Sequence, residues 1–434
     1  MSLRQFILFI FYLTIISAFT GTLVMSVEVG PIHLFPYRFL LIFMWLLFVV
    51  SVFMNNGLLN LSHVKVRLYL KFLTIWLGYA FVSMMWAADK NAAVKNCIFL
   101  FTGISIVFFL VYYLRDIKHL KWLYWLWLLM FMALIPVGLW EVITGNHLVM
   151  SNLLEEDRLL LKFVPTTVFT NQNDYATYIA LTLPMVLVWI RYYPKLYSRV
   201  LGVLVFTTGL FLLLMTTSRA SYIAFFMGVA FWFIFLLNLK KKIKTLAIVG
   251  SICILAILAL PEQIKYSLEI VESEMSSLSD FGSQAGYGGS ETIRPNLIKN
   301  ALYFTIKSAG FGVGAGNAEY YMENYKIYPV SFVTNVHNWW IEILVNYGVF
   351  IFAGYVFLYL TLLLNLWRVY KTGLNLTERM LCEALLVGLV SFFMASISSS
   401  SIVALSPQWI FCGFVLAFLN YIRLRNRTKY KCIS

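Results

Sequence analysis

Arg219, Arg294 and His337 are the residues whose types and settings point to chemistry. Arg219 sits in Thr216-Thr217-Ser218-Arg219-Ala220-Ser221, a short and otherwise uncharged turn between two long apolar runs. An arginine there can snorkel as a boundary anchor. Held between helices, it can instead be a ligand for an anion. Arg294 lies in the long polar segment 261–338. It is either a solvated loop charge or a guanidinium that grips phosphate oxygens through paired hydrogen bonds. His337 is one of five histidines and the only one in that segment. Imidazole accepts protons near neutral pH, although a single interfacial histidine also serves purely structural ends. At one membrane face, beside that imidazole, two guanidiniums would stabilise a departing diphosphate by charge aimed at developing charge.

The surrounding sequence bears on that chemistry. No Asp-x-Asp pair occurs in segment 261–338; Glu272-Ser273-Glu274 comes nearest and fits a solvated helix face. Cation-assisted diphosphate chemistry needs carboxylates to hold the metal. The expectation is therefore arginine neutralisation, with no metal and no cofactor. Gly310, Gly312, Gly314 and Gly316 let backbone approach a ligand closely. Outside a strand-to-helix setting, they are not a dinucleotide fingerprint. Cys97, Cys253, Cys382, Cys412 and Cys432 all lie outside segment 261–338 and read as small apolar residues rather than a disulfide or metal framework.

The elements that must position these residues are membrane spans. The chain is 61% hydrophobic and 12% charged, with mean hydropathy +0.82, and apolar runs of about 20 residues recur from end to end. The expected class is all-α and polytopic, with about twelve spans, roughly 6–25, 36–54, 68–87, 96–114, 120–140, 175–190, 199–217, 220–238, 244–260, 339–366, 380–401 and 405–422. The first run, lacking a small-residue cleavage site, reads as a retained helix. Residues 1–260 would hold helices 1–9, 261–338 the outward loop between spans 9 and 10, and 339–434 helices 10–12 with a basic tail.

The loops sort by charge. About two thirds of the basic residues fall in alternate loops, including Lys240–Lys244 and Arg423–Lys431, which by the positive-inside rule are cytoplasmic. Both termini are then inside, and segment 261–338, the Arg219 turn and segment 141–174 face outward. The formal charge of +14 is thus topology and anionic-lipid contact, with no nucleic-acid partner. Within segment 261–338, Ile264, Leu268, Val271, Met275 and Leu278 predict a surface amphipathic helix. The stretch from Phe281 to Ser290 is Gly/Ser-rich and reads as flexible. Pro295 predicts a second helix start with Arg294 at its entrance. Asn171 and Asn173 precede a span and can cap it. Glu155-Glu156-Asp157-Arg158 reads as a solvated face.

The motifs resemble those of the bacterial O-antigen ligase and polysaccharide polymerase superfamily. Phe169-Thr170-Asn171-Gln172-Asn173 is similar to a Phe-x-Asn-Pro-Asn element, with Gln172 in place of the proline. Thr217-Ser218-Arg219-Ala220 matches a Ser-Arg element. Arg294 precedes a helix leading to Gly310-Phe311-Gly312-Val313-Gly314. His337-Asn338, with Glu342 and Gly348 downstream, matches a His-Asn element. The motif likeness covers about residues 165–365.

That resemblance implies an inverting, metal-independent glycosyltransferase of GT-C-like architecture in the bacterial cytoplasmic membrane. The donor would be a glycan on undecaprenyl diphosphate, presented at the outer face to a glycan acceptor. Arg219 and Arg294 would bind the diphosphate and His337 would assist the acceptor hydroxyl. Asn171, Asn173, Gly312, Gly314 and Asn338 would lie beside diphosphate or glycan. Tyr320, Tyr321, Tyr325, Trp339 and Trp340 would stack on sugars or form an interfacial belt. A polymerase is the favoured expectation, with other polysaccharide export proteins as further partners. A ligase transferring the glycan to a lipid A core or another acceptor is the rival in chemistry. A flippase is the rival in kind, opposed by the scarcity of ionisable groups at span centres.

Overall fold

The computed structural model describes residues 3–21, 27–29, 32–54, 60–156, 159–238, 290–330, 333–397, 399 and 402–431. Helices run in the order α1 (Leu3–Thr20), α2 (Pro36–Met54), α3 (Arg67–Ser83), α4 (Lys90–Tyr113), α5 (Ile117–Thr144), α6 (Leu159–Lys162), α7 (Gln172–Tyr192), α8 (Leu196–Met215) and α9 (Arg219–Phe231). A π-helical segment, Trp232–Leu236, continues α9. Then come α10 (Ser290–Lys307), α11 (Ala318–Asn324), α12 (Trp339–Tyr370), α13 (Leu376–Ala395) and α14 (Ser406–Lys431).

Eight helices among the described residues are long and apolar enough to cross a bilayer, and Gln5–Thr20 is a shorter apolar one. Every expected run except 244–260 is occupied by a helix. That run, the amphipathic helix expected from Ile264 to Leu278 and the stretch from Phe281 to Gly289 lie outside the described residues. One small departure from an all-helical chain is the antiparallel pair β1 (Val27–Val29) and β2 (Ile32–Leu34), with Val27 opposite Leu34.

At the centre stand α7 and α14, in each of which 78% of the span residues are buried, against 22% in α2. A helix apolar around its whole circumference has to be buried. α7 meets that condition with small residues such as Ala176, Thr177 and Ala180. The helix ends that carry most of the basic residues are cross-tied by buried carboxylates. Glu383 accepts from Arg191 Nη1 (2.5 Å), Tyr192 Oη (2.8 Å) and Trp232 Nε1 (2.5 Å), joining α7, the π segment and α13. Glu378 pairs with Arg425 and accepts from Tyr421 Oη at 2.8 Å, joining α13 to α14.

The opposite ends carry the loop 308–338, which docks into a break in α12. Gly348 has φ 78° and ψ −177° inside that helix, about 13 Å along it. An interruption within a membrane helix leaves amides and carbonyls that must find partners inside the protein. The glycine run supplies them. Val313 N donates to Val345 O (2.8 Å), Gly314 N to Asn346 O (3.1 Å), and Val349 N to Gly310 O (2.9 Å). The loop is also stitched to α3 and the start of α4. Trp86 Nε1 donates to Gly312 O (3.0 Å), Ala315 N to Ser83 Oγ (3.0 Å), and Asp89 N to Asn317 Oδ1 (2.7 Å). The close approach expected of Gly312 and Gly314 is thus made to the chain's own backbone. A Cβ at Gly312 would stand 2.6 Å from Gly348 N, and one at Gly314 2.8 Å from the Ala87 Cβ.

Several helix bounds differ from the expected runs, and two of the differences have a visible local cause. α1 stops at Thr20 because Gly21 turns left-handed, with φ 55°. α10 begins at Ser290, so Pro295 lies within it and Arg294 follows the helix start by a full turn. A proline this near a helix start forfeits only one intrahelical bond, so it marks the beginning of the helix without fixing its first residue.

A further tie holds segment 163–170. Glu141, fully buried near the end of α5, accepts from Thr166 N and Thr167 N, both at 2.7 Å. Glu141→Leu leaves both amides without that acceptor and is expected to cost about 1–3 kcal/mol for each. Gly312→Ala adds the clash above to a left-handed backbone strain of about 1–3 kcal/mol. Gly373→Ala, with nothing within 4 Å, stays within about 0.5 kcal/mol of the parent. Thermal unfolding of the three detergent-solubilised variants checks this order.

Candidate functional site

Four helix ends meet at the side of the bundle that carries the loop. Thr177 Oγ1 donates to Asn173 O (2.8 Å) in its own helix and to Ala395 O (3.1 Å) at the end of α13. Ala180, Ala224 and Ala395 pack together, bringing α9 to the same place. Trp339 N donates to Ser396 O (3.0 Å), and Trp340 Nε1 to Ser396 Oγ (3.0 Å), bringing in α12. Arg219 opens α9 five residues before Ala224, so its backbone stands about 7.5 Å beyond that alanine contact. α7, α9 and α12 all begin here, and helix N-termini favour negative charge.

The loop brings the third component. α10 packs through Leu297, Ala301 and Phe304 onto Val313, Val336 and Val345, with Ile293 and Ile341 at the edge of the same cluster. Arg294 is therefore flanked by a residue packed near the start of α12, and His337 follows Val336. The guanidinium of Arg294 is half-buried. Its pKa lies below the ordinary arginine value, first through burial and second through the positive charge of Arg219. Two residues 75 positions apart thus lie close enough to repel. Such an arrangement suits an anion held between them.

His337 is set by local geometry. Its φ is +48°, a left-handed value that histidine tolerates better than most residues. Its N–H donates to Asn335 Oδ1 (2.8 Å), and Asn335 Nδ2 donates to Glu319 Oε1 (2.7 Å). Thr217, two residues before Arg219, has φ +54°. Two of the three candidates, Arg219 and His337, therefore stand beside or on strained backbone that the surrounding packing holds in place.

The other expected residues have visible structural duties. Asn171 Oδ1 caps α7, accepting from Asn173 N (2.7 Å). Asn338 Oδ1 caps α12, accepting from Trp340 N (3.1 Å) and Ile341 N (3.3 Å). Trp339 and Trp340 are core residues, 2% and 9% exposed, packed on Trp76, Tyr355 and Tyr359. They are neither an open sugar platform nor an interfacial belt. Tyr320, Tyr321 and Tyr325 form an aromatic group on α11 and just after it, with ring centroids 5.2 Å apart for the last two.

Beside His337 opens a cavity of about 510 Å³. Asn335 and Val336 line it; Arg219, Arg294 and His337 are not among its lining residues. Its ionisable groups are Arg38, Lys95, Asp174, Glu319 and Glu342. Arg38 and Lys95 were not singled out from the sequence. Arg38 left a signal nonetheless, as an ionisable residue three positions into an apolar span.

Comparison with known proteins agrees with this architecture. A family model described as O-antigen ligase matches residues 203–356, a stretch containing Arg219, Arg294 and His337. The teichuronic acid biosynthesis protein TuaE of Bacillus subtilis strain 168 is 32% identical over 416 residues, covering 95% of this chain and 84% of that protein. This multi-pass membrane chain belongs to the O-antigen ligase and polysaccharide polymerase superfamily.

Proposed function

We propose that the protein is a glycosyltransferase that joins glycan units carried on undecaprenyl diphosphate, at the outer face of the cytoplasmic membrane, and that it lengthens a surface polysaccharide. The observation that carries this reading is the approach of Arg219 to Arg294 at the meeting point of three helix N-termini. Arg294 is half-buried and Arg219 exposed, and like charges brought near one another are offset by a ligand of opposite sign. A diphosphate with its lipid chain in the bilayer meets that requirement. Family membership and the similarity to a teichuronic acid biosynthesis protein support the substrate class. The basic helix ends lie inside by the positive-inside rule, which puts the loop, the arginines and His337 outside and both termini in the cytoplasm.

The reaction in this reading is a single displacement. The acceptor hydroxyl attacks the anomeric carbon from the side opposite the diphosphate, so configuration inverts. The bond from that carbon to the phosphate oxygen breaks, and its electron pair leaves with the lipid diphosphate. Arg219 and Arg294 neutralise the charge that develops on it, a role needing no metal. His337 accepts the proton of the hydroxyl. Asn171 and Asn338 hold the helix N-termini in place around the diphosphate. Gly312 and Gly314 seat the loop, and so set the position of Arg294 and His337.

His337→Ala is expected to lower transfer by about 10²–10⁴-fold, the usual worth of a positioned proton acceptor, with membrane insertion unchanged. Replacing either arginine by alanine lowers turnover by about 10²–10³-fold, and lysine restores only part of it, because one ammonium cannot reproduce the paired hydrogen bonds. Purified protein in nanodiscs, fed lipid-linked repeat units, reports all three on one gel. A growing ladder identifies a polymerase; a single shifted acceptor band identifies a ligase. Normal product from His337→Ala would remove the histidine from the mechanism.

A further inference from the structure

The cavity beside His337 has two unlike walls. One is cationic. Arg38, buried in the first turn of α2, has its guanidinium carbon 4.9 Å from the Phe35 ring centre and 4.7 Å from that of Phe99. Held between two rings, it presents a fixed charge. Lys95, exposed and in the second turn of α4, lies with its Nζ 5.9 Å from the same Phe99 ring. The other wall is acidic. Asp174 accepts from Ser399 Oγ (2.5 Å), Glu319 accepts from Asn335 (2.7 Å), and Glu342 lies one turn beyond the cap of α12. Phe19 and Phe169 add apolar surface.

The volume of about 510 Å³ falls within the range of ligand pockets, about 300–1,000 Å³. A purely apolar ligand would leave the two cations and the acidic side chains without polar partners, and a simple anion would face Asp174 and Glu319 as well as the cations. A neutral sugar would satisfy the acidic wall through its hydroxyl donors and would form no ion pair with the cationic one. An acidic sugar matches both walls. Its hydroxyls donate to carboxylates, its ring faces lie on aromatic surface, and its charged substituent pairs with Arg38 and Lys95.

We propose that this cavity is a glycan-binding subsite for a sugar bearing an anionic group, recognised by Arg38 and Lys95, and separate from the arginine pair that holds the lipid diphosphate. The proposal rests on the glycosyltransferase reading above for its substrate. It adds that the glycan is acidic, and that its charge is read by residues which take no part in neutralising the leaving group. Asn335 links the two sites physically: it lines the cavity and also holds the backbone of His337. A sugar seated there would lie next to the proton acceptor, where an acceptor hydroxyl has to be.

The test uses full-length protein in nanodiscs and three defined tetrasaccharides: one containing glucuronate, its carboxyl-reduced neutral counterpart, and a neutral one carrying a phosphate. Binding of at least one charged tetrasaccharide about tenfold tighter than the neutral one is expected. Which of the two wins tells carboxylate from phosphate. Lys95→Gln, a change at an exposed position, is expected to weaken the charged ligand about threefold and leave the neutral one unchanged. Arg38→Gln combined with Lys95→Gln abolishes the preference, whereas Arg219→Ala combined with Arg294→Ala retains it. Equal binding of charged and neutral tetrasaccharides overturns the proposal. So does absence of binding by both charged ones, a preference that survives in Lys95→Gln and in the double variant, or one lost with Arg219 and Arg294. Undecaprenyl diphosphate titrated into the same variants tests the arginine pair independently, so failure of one site is distinguishable from failure of the other.

Discussion

A membrane helix can be interrupted only where the protein itself satisfies the freed backbone groups. α12 is interrupted at Gly348, and the amides and carbonyls around the break are taken up by Gly310, Val313 and Gly314. The rest of the loop side follows from this one exchange. The glycine run is fixed against α12, so the helix before it, α10, is fixed as well, and with it Arg294. The strand of loop that returns to the start of α12 is fixed at its other end by Val336, packed in the same cluster as Leu297 and Val313. A loop outside a bilayer would ordinarily be among the more mobile parts of a chain. Here, residues 308–318 are built into the wall of the bundle, through Ser83, Trp86 and Asp89 as well as through α12.

Positive charge is concentrated at one part of that end. Three helices begin there, and two guanidiniums approach within mutual repulsion. Under the proposed function, a lipid diphosphate would offset that positive charge when bound. The carboxylates are kept to other tasks. Glu378 and Glu383 tie the basic end, Glu141 holds segment 163–170, and Asp174, Glu319 and Glu342 face the neighbouring cavity. In the proposed function this division would set acceptors for sugar hydroxyls next to, and apart from, donors for phosphate oxygens.

How much of this was legible in the sequence differs by feature, for physical reasons. Spans were legible because about 20 apolar residues admit few other readings. The cap at Asn171 was legible because its side-chain oxygen acts within two residues. The three candidate residues could be picked out by charge and setting, while the approach of Arg219 to Arg294 depends on elements that meet only in the folded chain. The role of Gly312 and Gly314 was half legible. Close backbone approach was read correctly, but its object, the break at Gly348, lies 36 residues beyond Gly312. Trp339 and Trp340 were misread as surface aromatics because sequence does not reveal that Trp76 and Tyr355 cover them. Arg38 and Lys95 were passed over because charge at a span end is ordinarily topology, and only the cavity gives them a common purpose.

The central claim is that Arg219 and Arg294 hold one diphosphate together. A double-mutant cycle on undecaprenyl diphosphate binding, using Arg219→Ala, Arg294→Ala and the double variant in nanodiscs, measures this directly. The account predicts that both single changes weaken binding and that their effects are coupled by about 1 kcal/mol or more, since the two groups share one ligand. Unchanged binding in either single variant, or losses that simply add, would contradict it.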